Sequence, residues 1–312
     1  MNFVLNDNTV LNTKEIVAQA LNNKYEIESF NLTCFRLFGL EKDYFQQKMY
    51  SIFRIMDNHL CIVAYLKGFK INGSVSMKIS EIGMGFKMQS GGAKEFDAGS
   101  YLFLIHYGID KEEFLEKELS SLISIFSGEE ILHSECFKIQ VMTQGFIQTF
   151  PITFKSERNG TTVDIESINK INRAIGLINK RTTEDKERIM LSLRWYYKHI
   201  NQQVEDAFLT LWIAIEILGD CKKSNIANIK NAFKEMYLMD DNTAGQTFGI
   251  GPIQSIRGDL VHKGKIKKLD KQFIEYLRRI YWDLLLYTLD ENCENYSLSF
   301  LQLKRFQISN YQ

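Results

Sequence analysis

Cysteine is scarce and scattered in this 312-residue chain: Cys34, Cys61, Cys136, Cys221 and Cys293 are far apart and odd in number. With no C-x-x-C pair, neither a zinc knuckle nor a redox dithiol is indicated. Free thiols in a reducing cytosol are the simplest reading. Proline is rarer still, with two residues: Pro151, at the start of the stretch 151–162 in which the domain boundary is placed, and Pro252, just before the motif helix. Net charge is absent, because 38 Lys+Arg balance 38 Asp+Glu. That excludes a whole-molecule electrostatic nucleic-acid binder. Long apolar runs are lacking too. The most apolar stretch, Phe208 to Leu218, contains Glu216 and is too short to span a bilayer. The N-terminal Met1 to Asp7 has neither a basic region nor a long apolar run, so no signal peptide is read. These absences predict a cytoplasmic protein with no membrane partner.

Familiar cofactor and metal motifs are missing as well. Gly258 to Lys265 superficially suggests a phosphate-binding loop, but five residues separate the glycines where four are needed, and Ile266 stands where Ser or Thr belongs. His59, His106, His133 and His199 show no ligand spacing, and Asp240-Asp241-Asn242 reads as a solvated loop. No cofactor and no metal are expected.

What is present divides into two halves. An apolar fraction of 45% with 24% charged residues is that of an ordinary soluble globular protein, and the length suits two domains. Residues 1–159 carry 16 Lys+Arg against 19 Asp+Glu, and residues 160–312 carry 22 against 19. The surplus of cations concentrates between 257 and 271, a patch able to hold a few phosphates and no more.

The first half reads as mixed α and β. Strands are predicted over 59–71, 74–82, 100–107 and 136–150, from alternation and from β-branched and aromatic content. Gly83-Met84-Gly85 and Ser90-Gly91-Gly92 read as loops. A helix is predicted over 110–126, with Asp110 as N-cap and a stop at Ser127-Gly128. The second half is almost all helix. Helical periodicity covers 163–178, then a helix capped by Thr183 runs through Tyr197. Val204 to Leu218, ending at Gly219, is apolar nearly all round and is expected to be the central helix. Further helices are expected over 224–239, after Pro252, and over 269–289. The polar stretch Ser156 to Gly160 marks the boundary. The fold expected is therefore an α+β two-domain protein: a mixed domain over 1–158 and an all-α helical bundle over 159–312. Trp195, Tyr196, Tyr197 and Trp212, at helical spacing, are assigned to the core.

Arg257-Gly258-Asp259-Leu260-Val261-His262 carries the chemistry. Each helical residue turns about 100°, so Arg257 and His262 flank a shared sector of roughly 140° into which Gly258, Val261 and Lys265 project. Arginine holds and neutralises a phosphate, and histidine moves protons near neutral pH. Glycine in that sector lets a phosphate approach the backbone. Asp259, three residues before His262, is placed to orient the imidazole. Lys263 and Lys265 are assigned to flanking phosphates. Glu216 is the charge inside an otherwise apolar run, so something must satisfy it. It either orients Arg257 or His262, or pairs with Arg194 or lies at a subunit interface.

Three stretches in this order resemble a HEPN domain of the ApeA-like branch. Leu193-Arg194-Trp195-Tyr196-Tyr197 resembles the aromatic helix that opens its core. Asp206 to Gly219 resembles its buried helix with an acidic-aliphatic-Gly ending, and Ile256 to His262 resembles the Arg-polar-x-x-x-His motif of HEPN ribonucleases. The likeness covers roughly residues 165–290. It implies metal-independent RNA cleavage by Arg257 and His262, a homodimer bringing two such sets together, and an anti-phage defence or toxin role. It also implies an RNA substrate such as tRNA or mRNA and a phage-derived trigger or antitoxin partner, with residues 1–158 as sensor or RNA-selection domain. The motif departs from the family at Gly258, where a polar residue, often Asn, is usual. The other class of function compatible with the residues is a non-catalytic HEPN-like module for dimerisation or for binding RNA, nucleotide or protein. Arg257 and His262 discriminate the two: both solvent-facing in one cleft favours the enzyme, and either one locked in the core favours the module.

Overall fold

The computed structural model describes residues 2–4, 10–12, 30–38, 50–56, 59–66, 69–77, 88–107, 116–128, 131–142, 145–149, 165–200, 202–220, 226–263, 269–291 and 294–311. The chain divides into two compact units, Met1–Asn179 and Lys180–Gln312. The mixed-plus-helical arrangement expected from the sequence is present. The anticipated boundary at 158/159 itself lies outside the described residues, and the helix that follows it groups with the first unit.

In the first unit ten strands are described: β1 (Asn2–Val4), β2 (Val10–Asn12), β3 (Phe30–Phe38), β4 (Tyr50–Met56), β5 (His59–Leu66), β6 (Phe69–Met77), β7 (Met88–Phe96), β8 (Gly99–Tyr107), β9 (Leu132–Met142) and β10 (Gly145–Thr149). Six of them form an antiparallel sheet in the order β10-β9-β3-β8-β5-β4. β1 pairs with β2, and β6 with β7, as separate ribbons. The middle strands are buried on both faces, as Leu32 to Phe35 in β3, Leu60 to Ala64 in β5 and Ser100 to His106 in β8 show. Such strands read as near-continuous apolar runs, which is why 59–71 looks like one strand when it is β5 and the start of β6. Likewise 136–150 holds the end of β9 and all of β10. Ser90-Gly91-Gly92, expected to be a loop, lies inside β7, where Gly91 and Gly92 face Ser74 and Gly73 of β6. Backbone pairing there overrides the turn preference of glycine.

Arg36 of β3 clamps the turn into β8. Its Nη1 donates to Asp97 O at 3.1 Å and to Tyr101 Oη at 2.9 Å, and its Nη2 to Ala98 O at 2.9 Å. The guanidinium lies flat on Gly99, where a Cβ would sit 2.7 Å from Nη2. Two helices complete this unit, α1 (Glu116–Ser127) and α2 (Ile165–Lys180), joined where Ser167 Oγ donates to Phe126 O at 2.8 Å. The predicted caps and loops at Asp110, 83–85 and 156–160 lie outside the described residues.

The second unit holds α3 (Thr183–Lys198), α4 (Val204–Leu218), α5 (Ala227–Tyr237), α6 (Asp241–Phe248), α7 (Ile250–Lys263), α8 (Lys271–Thr288), α9 (Tyr296–Lys304) and a short 3-10 turn, Ile308–Tyr311. α4 packs between α3 and α8. α3 is capped by Thr182, one residue before the expected Thr183: Thr182 Oγ1 accepts from Asp185 N at 3.2 Å. Asp240 caps α6, accepting from Asn242 N and Thr243 N at 3.0 Å each, so the expected loop at 240–242 is a helix start. Within this unit the most buried helix is not α4 but α8, continuously buried from Ile280 to Leu286. On α4, Leu209, Ile213, Glu216 and Ile217 are half-exposed. Tyr196 and Trp212 are buried as expected, whereas Trp195 and Tyr197 are half-buried and Lys198 Nζ stands 3.8 Å over the Trp195 ring.

Two polar centres organise this bundle. Asp283, fully buried on α8, accepts from Tyr237 Oη at 2.6 Å, from Tyr296 N at 3.0 Å, and from Ser297 N and Oγ at 2.8 and 2.6 Å. It thereby caps α9, whose own N-cap Asn295 supplies no side-chain bond. The second centre is Tyr196 Oη, which accepts from Trp282 Nε1 at 2.8 Å and from Arg278 Nε at 3.5 Å. Beside it His199 Nδ1 meets Tyr196 O, while the buried Nε2 has no hydrogen-bond partner. Burial and the charge of Arg278 push the His199 imidazole from 6.5 down to about 3.

Two outcomes follow. Asp283→Ala leaves several buried donors unpaired, each worth about 1–3 kcal/mol, so urea unfolding should show a loss of at least about 3 kcal/mol. Ser297→Ala should cost about 1 kcal/mol. His199 stays neutral in the fold but protonates in the unfolded chain below pH 6.5, so the unfolded state binds more protons as pH falls toward 3. Stability should therefore drop by about 2 kcal/mol between pH 7 and pH 5, and His199→Gln should flatten that part of the pH profile.

Candidate active site

α7 grows from the core outward. Ile250, Ile253 and Ile256 recur every three residues and are buried, anchoring the first half of the helix. Pro252 lies in its first turn, where its missing N–H costs no helical bond. Beyond Ile256 no described side chain of α7 is buried. Arg257, Gly258, Asp259 and Leu260 are half-buried, and Val261 and His262 are exposed.

The two residues at the centre of the motif come together there. Arg257 Nη1 lies 3.5 Å from His262 Nε2. The guanidinium and the imidazole meet in the sector the two side chains flank. Gly258 lies in the same sector, and a Cβ built there meets nothing within 4 Å. The gap is therefore real space on the surface of the helix.

The other motif residues are placed less closely. Among the described residues the polar contact of the imidazole is with Arg257, and Asp259 does not reach it. Glu216 sits half-exposed on α4, where its Oε1 accepts from Trp212 Nε1 at 3.0 Å, one turn earlier. That bond supplies the satisfaction its near-apolar surroundings demand, and it goes to neither Arg257, His262 nor Arg194. Lys263 ends α7, with its side chain outside the described residues, as is all of Lys265. Among the described residues no group of three or more His, Cys, Asp or Glu is positioned to hold a metal ion, and no helix is long and apolar enough to cross a membrane.

A second concavity escaped the sequence reading. A cavity of about 610 Å³ opens between α3, the end of α4, α5 and the end of α8, and no residue of α7 lines it. Its two arginines are already engaged. Arg188 donates to Leu218 O at 2.7 Å and pairs with Asp185 at 2.6 Å, and Arg181 pairs with Asp290 at 2.6 Å. With Asp220 and Glu235 also on its wall, it is not a place for phosphate. No local motif announces it, because its lining comes from four helices.

Gly258 is a half-buried helical glycine with room for a methyl group and no left-handed backbone. Gly258→Ala should therefore stabilise the fold by about 0.5–1 kcal/mol, read as a higher urea midpoint. Comparison of the chain with protein-family models, with curated proteins and with solved structures gives no match.

Proposed function

We propose that the protein is a metal-independent endoribonuclease of HEPN type, acting as an anti-phage defence or toxin effector, with Arg257 and His262 as its catalytic pair. One observation carries the reading. The guanidinium and the imidazole meet at 3.5 Å on the part of α7 that has left the core, and neither is consumed by packing or by a carboxylate. A purely structural Arg–His pair would be expected to be buried or ion-paired.

The chemistry uses these groups as follows. A phosphate entering over Gly258 draws the guanidinium of Arg257 off Nε2 and frees the lone pair of that nitrogen. The imidazole takes the proton of the 2′-hydroxyl, the 2′ oxygen attacks phosphorus, and the bond to the 5′ oxygen breaks. A protonated imidazole returns a proton to that leaving oxygen. Arg257 stabilises the charge gathered on the phosphorane. Lys263 and Lys265 hold the flanking phosphates. In this reading two chains pair about a two-fold axis, so that a second Arg–His set serves the same RNA. The half-exposed apolar residues of α4 (Leu209, Ile213 and Ile217) supply buried area to offset repulsion between the basic stretches, at about 25 cal/mol per Å². Residues 1–158 act as sensor or RNA-selection domain.

Expression in bacteria should slow growth. Arg257→Ala and His262→Ala should each relieve that toxicity while shifting stability by no more than about 0.5 kcal/mol. With purified protein, RNA cleavage should persist in EDTA and yield 2′,3′-cyclic phosphate and 5′-hydroxyl ends, and sedimentation of the same sample should give a dimer. Equal toxicity of wild type and both variants, or cleavage that magnesium must restore after chelation, refutes the reading.

A further inference from the structure

Beyond Ile256 no described side chain of α7 is buried, so the contacts at the start of α7 and at the start of α8 bear on where its outer half lies. One short segment touches both places. α6 and α7 are joined by a single residue, Gly249, which is left-handed at φ 58°. A Cβ on Gly249 would lie 2.1 Å from Ile308 Cδ1, so Ile308 occupies the space a side chain would need and packs on the bare backbone of the hinge. Gly249 O in turn accepts from Ile253 N at 3.0 Å, opening the first turn of α7. At the other end, Asp270 caps α8 by accepting from Phe273 N at 2.8 Å. Tyr311 Oη reaches the same carboxylate, 3.0 and 2.9 Å from its two oxygens.

Between these contacts the segment is seated on aromatic rings. Phe306 packs on Phe273, Tyr276 and Phe300, and Tyr311 packs on Phe273 and Phe306. Tyr276 Oη donates to Phe248 O at 3.0 Å, tying the same ring cluster to the last residue before the hinge. Residues 306–311 therefore bracket the stretch from Gly249 to Asp270 that carries Arg257 and His262.

We infer that residues 306–311 form a strap that aims the Arg–His helix, with Ile308 and Tyr311 as positioning residues for Arg257 and His262. Ile308 fixes the Gly249 hinge by filling its one open side. Tyr311 ties down the far end of the basic stretch through Asp270. The chemical consequence rests on the ribonuclease reading above; the mechanical one does not. Loosening either contact lets α7 shift slightly about Gly249 on its seat of Ile250, Ile253 and Ile256, and the shift is largest at the outer end that carries Arg257 and His262. A misplacement on the ångström scale is enough to cost on the order of a hundredfold in rate.

The test uses the full chain with Ile308→Ala, Ile308→Val and Tyr311→Phe. Amide hydrogen exchange over 257–263 should speed up by about tenfold or more in Ile308→Ala and by less in Tyr311→Phe, while α3, α4 and α8 keep wild-type protection. Ile308→Val should restore it. On an RNA that the wild type cleaves, kcat should fall by tenfold to a hundredfold with KM held, in the same order of variants. Tyr311→Phe removes one hydroxyl and keeps the ring stack, so it tests the strap even if Ile308→Ala folds poorly. Unchanged exchange over 257–263 in both, or faster exchange spread evenly over the bundle, overturns the strap. Faster local exchange with unaltered kcat overturns its role in positioning. If the wild type cleaves no RNA, the ribonuclease reading fails by itself and the exchange data alone decide the strap.

Discussion

A single buried carboxylate does the work of a helix cap, a tyrosine anchor and a serine clamp in the second unit. Asp283 sits in the middle of the most buried helix and gathers donors from α5 and from the first turn of α9. A carboxylate is tolerated at such depth only because both its oxygens are occupied by donors. The cost of desolvating it is offset by fixing two other elements against α8. α9 depends on this arrangement more than the rest, since Asn295 leaves its first amides uncapped. α9 and the ring cluster around Phe300 and Phe306 then seat the segment that reaches Gly249. A carboxylate far along the chain is thus linked, through α9 and its ring cluster, to the residue that packs on Gly249.

The helices were legible where local chemistry and burial agree. α4 begins and ends as its pattern says, from Val204 to Leu218 with Gly219 at its C-cap. Two short helices were not legible. α6 opens on a run of aspartate and asparagine that resembles a loop until Asp240 is seen to receive the amides of its own first turn. α9 has no capping residue of its own, and its cap is supplied from α8. The burial ranking also resisted sequence reading. α4 is the more apolar helix, yet α8 lies deeper, because Tyr281 and Asp283 are absorbed by partners distant in sequence and Arg278 pairs with Glu275 on its own helix. In the first unit Gly91 and Gly92 look like a turn and pair as a strand, since what decides a strand is its neighbour.

At the candidate site helical geometry put Arg257 and His262 on either side of one sector with Gly258 between them, and it gave no sign of the direct contact the two side chains make. The surroundings were not. Asp259 is three residues from His262, but spacing says only that two residues share a side of a helix, not that their side chains choose each other. Glu216 was expected to need a partner and has one, the indole of Trp212 on its own helix. The hinge at Gly249 and the residues 306–311 that fill it have no signal in the motif, because the contact spans the whole of α8 and α9.

α7 keeps its two tasks on separate residues. Three isoleucines tether it, and the described side chains that follow them are half-buried or exposed. The fold therefore restrains the identities of Arg257, Gly258 and His262 less than those of the isoleucines. A lineage could silence the pair, or trade it for other surface chemistry, and still inherit an intact bundle. Scaffold and surface chemistry are separable in this architecture, so shared shape alone would be a poor guide to which copies keep the Arg–His pair.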